Sequence, residues 1–244
     1  MHRGEGACHP AIALTCGHVY QMLKRMTRVR VDLMISLDGF ATTTDQTPEN
    51  PFGEDWSRLT RDYAATRTFR ARVLGDTSGE GTTGVDDEFA TRYFEGIGAE
   101  IMGAGMFGLH SFPDDPAWKG WWGDEPPFGC PVFVLTHTPR ESIEMKGGTT
   151  FHFLSASPAE VLAQATAVAG DQDVRIGGGP TTVREFLRAG LVDDLHVAIS
   201  PILLGRGIRL WDDLRGLEND ARVTSVVAPS GVIHVTFNRD RTGP

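Results

Sequence analysis

From residue 29 onward apolar and polar residues follow regular periods, and these periods mark out the elements. Residues 29–35, Val-Arg-Val-Asp-Leu-Met-Ile, alternate in character, which predicts a half-buried strand, and Ser36-Leu-Asp-Gly39 ends it with turn chemistry. Beyond a polar loop with Pro48, Pro51 and Gly53, Trp56, Leu59, Tyr63 and Ala64 recur at helical spacing. Residues 76–84 read as a Gly/Ser/Thr loop, and Phe89, Tyr93, Phe94 and Ile97 predict a second helix ending near Gly98. A short strand over 100–102 then meets Gly103. Residues 108–129 show no period; rich in proline and tryptophan, they predict a long ordered loop.

The second half reads as strands over 131–136 and 151–154, an alanine-rich helix over 158–169 and a strand over 173–176. A triple glycine, a helix over 181–189 closed by Gly190 and a strand over 195–200 follow. This βαβ succession predicts an α/β fold with a mostly parallel central sheet. Segments 222–227 and 232–237, separated by Ala-Pro-Ser-Gly, predict an antiparallel C-terminal hairpin.

Residues 1–25 have no period, and Met26 stands directly before the alternation begins. The expectation is an unstructured extension followed by a single domain over residues 26–240. Cys8, His9, Cys16 and His18 are zinc-binding residue types, but their spacing does not form the usual two-to-four-residue knuckles, so no metal is expected.

Composition narrows the function classes. Hydrophobic residues at 40% and charged residues at 23% of 244 positions are those of a globular protein. A net charge of −9 without a basic run argues against nucleic acid. No apolar run approaches the roughly 20 residues that cross a bilayer, and no signal peptide follows Met1, so a cytoplasmic protein without membrane partners is expected. Three cysteines are too few for a disulfide framework.

The strongest local signal is Val174-Arg-Ile-Gly-Gly-Gly-Pro-Thr-Thr-Val183, a strand running into three glycines and a helix start. Bare backbone and helix N-terminal amides form an anion cradle, which favours phosphate binding over a plain turn. Gly103-Ala-Gly-Met-Phe-Gly108 matches a dinucleotide fingerprint by letter, but Leu109-His-Ser-Phe-Pro113 leaves no room for the long helix that fingerprint needs. In residues 193–207, a strand runs into a glycine-rich turn near Arg206 and Arg209, which either neutralise a phosphate or are simply solvated.

Together these segments resemble the dihydrofolate-reductase-like family, particularly its branch shared with the C-terminal reductase domain of the bifunctional riboflavin-biosynthesis deaminase-reductase. The markers are Met34-Ile-Ser-Leu-Asp-Gly-Phe40, Ile101-Met-Gly-Ala-Gly-Met-Phe-Gly108, Pro131-Val-Phe-Val-Leu-Thr-His137, Ile176-Gly-Gly-Gly-Pro-Thr181 and Ser200-Pro-Ile-Leu-Leu-Gly-Arg-Gly207. The resemblance implies helices on both faces of the sheet and an NADPH site across the strands' carboxyl ends. Gly177, Gly178 and Gly179 would lie beneath the pyrophosphate with Pro180 and Thr181, Gly103 and Ala104 beside the phosphates, and Thr136 and His137 near the adenosine. Ile35 and Phe40 would flank the nicotinamide. An arginine normally follows the family's Met-Gly pair; here Ala104 stands in its place, which opens the site to NADH, and Arg140 is the candidate compensating charge.

The expected activity is therefore NAD(P)H-dependent reduction of a small molecule; the alternative is a dinucleotide-binding sensor without turnover. No catalytic residue is assigned, since Asp55 and Asp62 lie on the first helix without a motif selecting either. Trp118, Trp121 and Trp122 form either a lid over a flat substrate or an anchor for their loop. Family analogy implies a homodimer.

Overall fold

The computed structural model describes residues 27–42, 47, 49–50, 53–112 and 115–239. The extension expected over residues 1–25, with its Cys and His residues, lies outside them.

The first strand, β1 (Val29–Ser36), sits near the middle of a nine-stranded sheet. It is followed by β2 (Phe40–Thr42), α1 (Trp56–Ala64), α2 (Arg67–Arg72), α3 (Val85–Phe94), β3 (Ile97–Gly103) and the single-turn α4 (Ala104–Phe107). Next come β4 (Pro131–Leu135), β5 (Ile143–Glu144), β6 (Thr150–Leu154), α5 (Pro158–Ala169), β7 (Asp173–Gly178), α6 (Pro180–Arg188) and β8 (Asp194–Ser200). The chain continues through β9 (Ile208–Arg209), β10 (Arg222–Val227) and β11 (Ile233–Asn238). The strand order is β10-β11-β8-β1-β7-β3-β4-β6-β5. The six strands from β8 to β6 pair in parallel, while the β10–β11 hairpin and β5 add antiparallel edges. This is the expected α/β architecture.

Local chemistry accounts for several boundaries. Ser157 caps α5 in a reciprocal capping box with Glu160, with Pro158 in the first turn, so this helix was legible to its ends. The second predicted helix stops early: Gly96 takes a left-handed φ of 69°, and Ile97 and Gly98 open β3 instead. A Cβ at Gly98 would lie 2.6 Å from the Ala169 carbonyl oxygen, so the glycine there serves strand–helix packing. Helix α2 and the two-stranded β2–β9 ribbon were not foreseen, because elements of two to six residues are too short to show a period.

The half-buried reading of β1 is corrected. Its Val29, Val31 and Ile35 join Val174, Ile176 and Val197 in an apolar core beneath α5 and α6. The polar positions of the alternation are buried as well, because α1 and α3 cover the opposite face. Across that face runs a ladder of polar residues on five adjacent strands, with Glu100 opposite Arg175, Arg175 opposite Arg30, Asp32 opposite His196 and His196 opposite Thr236. A parallel sheet covered on both sides normally carries apolar residues at such positions. Here each of these side chains finds at least one partner instead, although Asp32 Oδ2, Glu100 Oε1 and Arg175 Nε accept or donate no hydrogen bond: Arg30 donates to the Arg92 and Glu95 carbonyls, and Arg175 pairs with Glu100 while its guanidinium lies 3.7 Å from the Tyr93 ring centre.

Candidate functional site

Because β7, β3 and β4 are adjacent and parallel, Gly178, Gly103 and Leu135 bring their carboxyl ends to one rim of the sheet. A cleft of roughly 1690 Å³ opens there. Nine of the eleven residues singled out from the sequence line it: Gly103, Ala104, Thr136, His137, Gly177, Gly178, Gly179, Pro180 and Thr181. Ile35 and Phe40 do not. In β1 the side chains alternate, so Ile35 points into the apolar core and its neighbour Met34 lines the cleft, a one-residue shift that exchanges the faces. Phe40 is buried under the Arg209 guanidinium, 4.8 Å from its ring centre.

The three glycines have three different reasons. A Cβ at Gly177 would overlap the Glu100 carboxylate, and Gly178 has φ 137°, a conformation that L side chains rarely adopt. Gly179 alone is unconstrained by packing, with nothing within 4 Å of where its Cβ would stand. The Gly178–Gly179 peptide is cis. Gly179 caps α6 without a side-chain bond, and Pro180 opens the helix with no N–H to place. Helix geometry leaves the Thr181 and Thr182 amides without intrahelical acceptors, so they and the helix dipole offer an anion a ready seat. A Cβ at Gly103 would overlap Thr182 Oγ1, so that glycine lets β3 approach this turn. The G-x-G-x-x-G segment ends in α4, four residues long, and is not a dinucleotide fingerprint helix.

Positive charge on the cleft is sparse, although five carboxylates, Asp32, Asp86, Asp115, Glu125 and Glu185, line it. Among its described lining residues Arg140 is the sole Lys or Arg. Its Nη1 and Nη2 donate to the carbonyls of Asp115 (3.2 Å) and Trp118 (2.6 Å), and its plane lies 4.3 Å from the Phe153 ring centre. Arg140 thus holds the tryptophan loop. Trp118 and Trp121 donate their indole N–H groups to the Phe107 and Met106 carbonyls, 2.9 and 3.0 Å, which is the anchoring arrangement. Trp121 and Trp122 also form part of the cleft wall. Arg206 is paired with Asp55 and Glu54, and Asp55 is also bound by Arg58, whose hydrogen bond holds its carboxyl below the usual range. Neither Asp55 nor Asp62 lines the cleft.

At the cleft's other end lies a group that the sequence reading missed. Asp32 Oδ1 is 3.0 Å from His196 Nδ1, His196 Nε2 is 3.0 Å from His234 Nδ1, and His234 Nε2 is 2.9 Å from Asp86 Oδ1. The Phe89 ring stacks on both imidazoles at 4.1 and 4.2 Å. All five residues line the cleft. The available signal was polar residues at buried positions of period-two strands, in β1, β8 and β11. Among the described residues no cluster of three or more His, Cys, Asp or Glu is arranged to hold a metal, and no helix is long and apolar enough to cross a membrane.

Comparison with known proteins bears on this arrangement. A Bacillus subtilis (strain 168) relative, the uncharacterized protein YyaP, is 30% identical over 67 residues, covering 28% of this chain and 36% of that protein. The match therefore spans about a third of the relative's length. Of solved structures, a Shewanella sp. PV-4 protein named for riboflavin biosynthesis has a TM-score of 0.57 at 22% identity, covering 88% of this chain and all of that one. A diaminohydroxyphosphoribosylaminopyrimidine deaminase/5-amino-6-(5-phosphoribosylamino)uracil reductase from Thermotoga maritima has a TM-score of 0.51 at 15% identity, covering 91% of this chain and 59% of that longer one. At these identities both speak to the fold, which is dihydrofolate-reductase-like. The sequence profile named RibD C-terminal domain matches residues 27–230, from the start of the described chain through the tip of the last hairpin, and the chain belongs to that family.

Proposed function

We propose that the cleft binds a reduced nicotinamide dinucleotide, NADPH with NADH also admitted, and that the protein is a reductase of a small planar or carbonyl-containing molecule. The observation that carries this reading is the convergence on one cleft of three parallel strand ends and a helix N-terminus, with Gly179 open where a phosphate needs the main chain bare. The residues fit the group. Amides and hydroxyls at Thr181 and Thr182 suit a diphosphate, and Thr136 and His137 lie at the end of the strand beyond β3.

The volume exceeds the ~300–1000 Å³ typical of single small-ligand sites, leaving space for an acceptor beside the dinucleotide. When bound, the dinucleotide supplies a hydride. The chain's task is then to align the two molecules and to exclude water, for which Trp121, Trp122 and Phe89 provide apolar wall. A sensor without turnover would leave the second half of the cleft without a use.

Titration with NADPH and with NADH, followed by nicotinamide fluorescence, should show saturable binding of both. Oxidation of the reduced dinucleotide should then follow with some member of a panel of aldehydes, ketones, imines and aminopyrimidines. An absence of binding would remove the reading altogether, while binding without oxidation across the panel would restore the sensor.

A further inference from the structure

The four-residue chain at the far end of the cleft has a proton count that its geometry fixes. Its three links, Asp32 to His196, His196 to His234 and His234 to Asp86, need three hydrogens. Two ionised carboxylates and two neutral imidazoles supply only two, because a neutral imidazole carries one N–H and a carboxylate none. A third proton completes the chain by making one imidazole cationic. With both outer hydrogens on the rings, the middle one sits on His196 Nε2 or on His234 Nδ1, and its transfer across 3.0 Å moves the positive charge from one ring to the other.

The surroundings act on this charge in both directions. Carboxylates cap both ends, and Asp32 is held below the usual range: burial pushes its carboxyl up, but the His196 hydrogen bond and nearby cations outweigh that. Burial works the other way on His234, pushing its imidazole down against the bond to Asp86. The groups that interact with Asp32 from the packed elements are Arg30, Arg175 and Glu100 on neighbouring strands and Tyr63 and Tyr93 on the covering helices, while His234 interacts with Asp86 and His196. By side-chain exposure the two rings that line the cleft are nearly sealed, at 8% and 4%, and Asp86, in the first turn of α3, is the most open of the four residues at 14%, which makes it the chain's best point of exchange with the cleft.

We propose that Asp32, His196, His234 and Asp86 form a buried store that keeps one shared proton between two imidazoles and delivers it to the cleft through the Asp86 carboxyl. This rests on the reductase reading. In the step it serves, the reduced dinucleotide would supply a hydride for a new C–H bond on the acceptor, the electron pair of the broken π bond would pass to the acceptor heteroatom, and Asp86, having first taken a proton from His234 Nε2, would give it to that heteroatom. The chain, left with two hydrogens, would regain the third as a proton from solvent. Asp86 is then the catalytic acid, and Asp32 and the two histidines are positioning residues.

The test is tautomer-sensitive long-range ¹H–¹⁵N spectroscopy of the imidazoles between about pH 5 and pH 8, assigned with His196→Gln and His234→Gln. The two rings should titrate as one unit with one shared proton. Asp86→Asn should lower that common midpoint by roughly one unit, moving His196 although His234 separates them. Independent titrations, two neutral rings throughout, or a His196 signal indifferent to Asp86→Asn would overturn the proposal. Parallel NADPH titrations separate the two failures: loss of coupled titration with NADPH binding intact sinks only the proton store, whereas coupled titration without NADPH binding sinks the reductase reading.

Discussion

Gly177 lies so close to Glu100 that a methyl group at residue 177 would overlap the carboxylate Oε1. Glu100 has no room to swing away, because it is fully buried and tied to Arg175. Gly177→Ala should therefore destabilise the fold by about 1–3 kcal/mol, the usual cost of overpacking. Denaturant unfolding of the free protein measures this, and an unchanged midpoint would show that the Glu100 side chain has more freedom than its contacts suggest.

The same carboxylate makes Arg175 a sensitive position. Burial raises the Glu100 carboxyl above its ordinary range and Arg175 pulls it back, so Arg175→Leu leaves a buried charge unpaired, at about 3–5 kcal/mol near neutral pH. A folded-state value raised above the unfolded one means that the native state binds the extra proton more tightly. Stability is then recovered as pH falls below that value and lost as pH rises through it. Urea unfolding at about pH 5 and about pH 8 should show the Arg175→Leu deficit shrinking on the acid side.

Asp38 joins two stretches that are distant in sequence. Its carboxylate accepts from the Ser36 hydroxyl (2.5 Å) and from the Leu204 and Gly205 amides (3.1 and 2.8 Å). Burial pushes this carboxyl up, but the hydroxyl and amides outweigh it and hold it below the usual range. Asp38→Ala should lower stability by roughly 1–3 kcal/mol. Since the folded value is depressed, that contribution exists above the unfolded carboxylate value and disappears as pH falls through the folded one. Wild type and variant should therefore converge in acid unfolding experiments.

Arg140 fastens the tryptophan loop through two carbonyls. Arg140→Ala should expose the segment over residues 115–127 to limited proteolysis and shift tryptophan emission to the red. NADPH affinity should fall by less than about tenfold, below the loss expected for a direct charge-assisted phosphate contact. A larger loss would return Arg140 to the phosphate role considered from sequence.

The fold was legible where a single physical rule governed a long segment. Helix α5 carries its own capping box, and the β10–β11 hairpin carries its Ala-Pro-Ser-Gly turn, so neither needed tertiary information. Two of the family markers proved to be joined to each other, Ser36-Leu-Asp38 binding the Leu204-Gly205 turn. The strand–glycine–helix order over residues 174–183 was readable from local pattern, but the reason for Gly177 was not, because it lies in the contact with Glu100 from another strand. Ile35 and Met34 were exchanged because alternation gives the two faces of a strand but not which face meets the cleft. The Asp32–His196–His234–Asp86 chain escaped notice because its members are scattered over more than two hundred positions and meet only through strand register and helix placement.

Gly179 provides the most direct test of dinucleotide binding, since its Cβ would meet nothing in the protein and its φ of −73° suits any residue. Calorimetric titration of NADPH into wild type and Gly179→Val should give saturable binding to the first and at least about a tenfold loss in the second. Their thermal unfolding without ligand should nearly coincide. Equal affinity in two equally stable proteins would contradict the placement of the diphosphate over this turn.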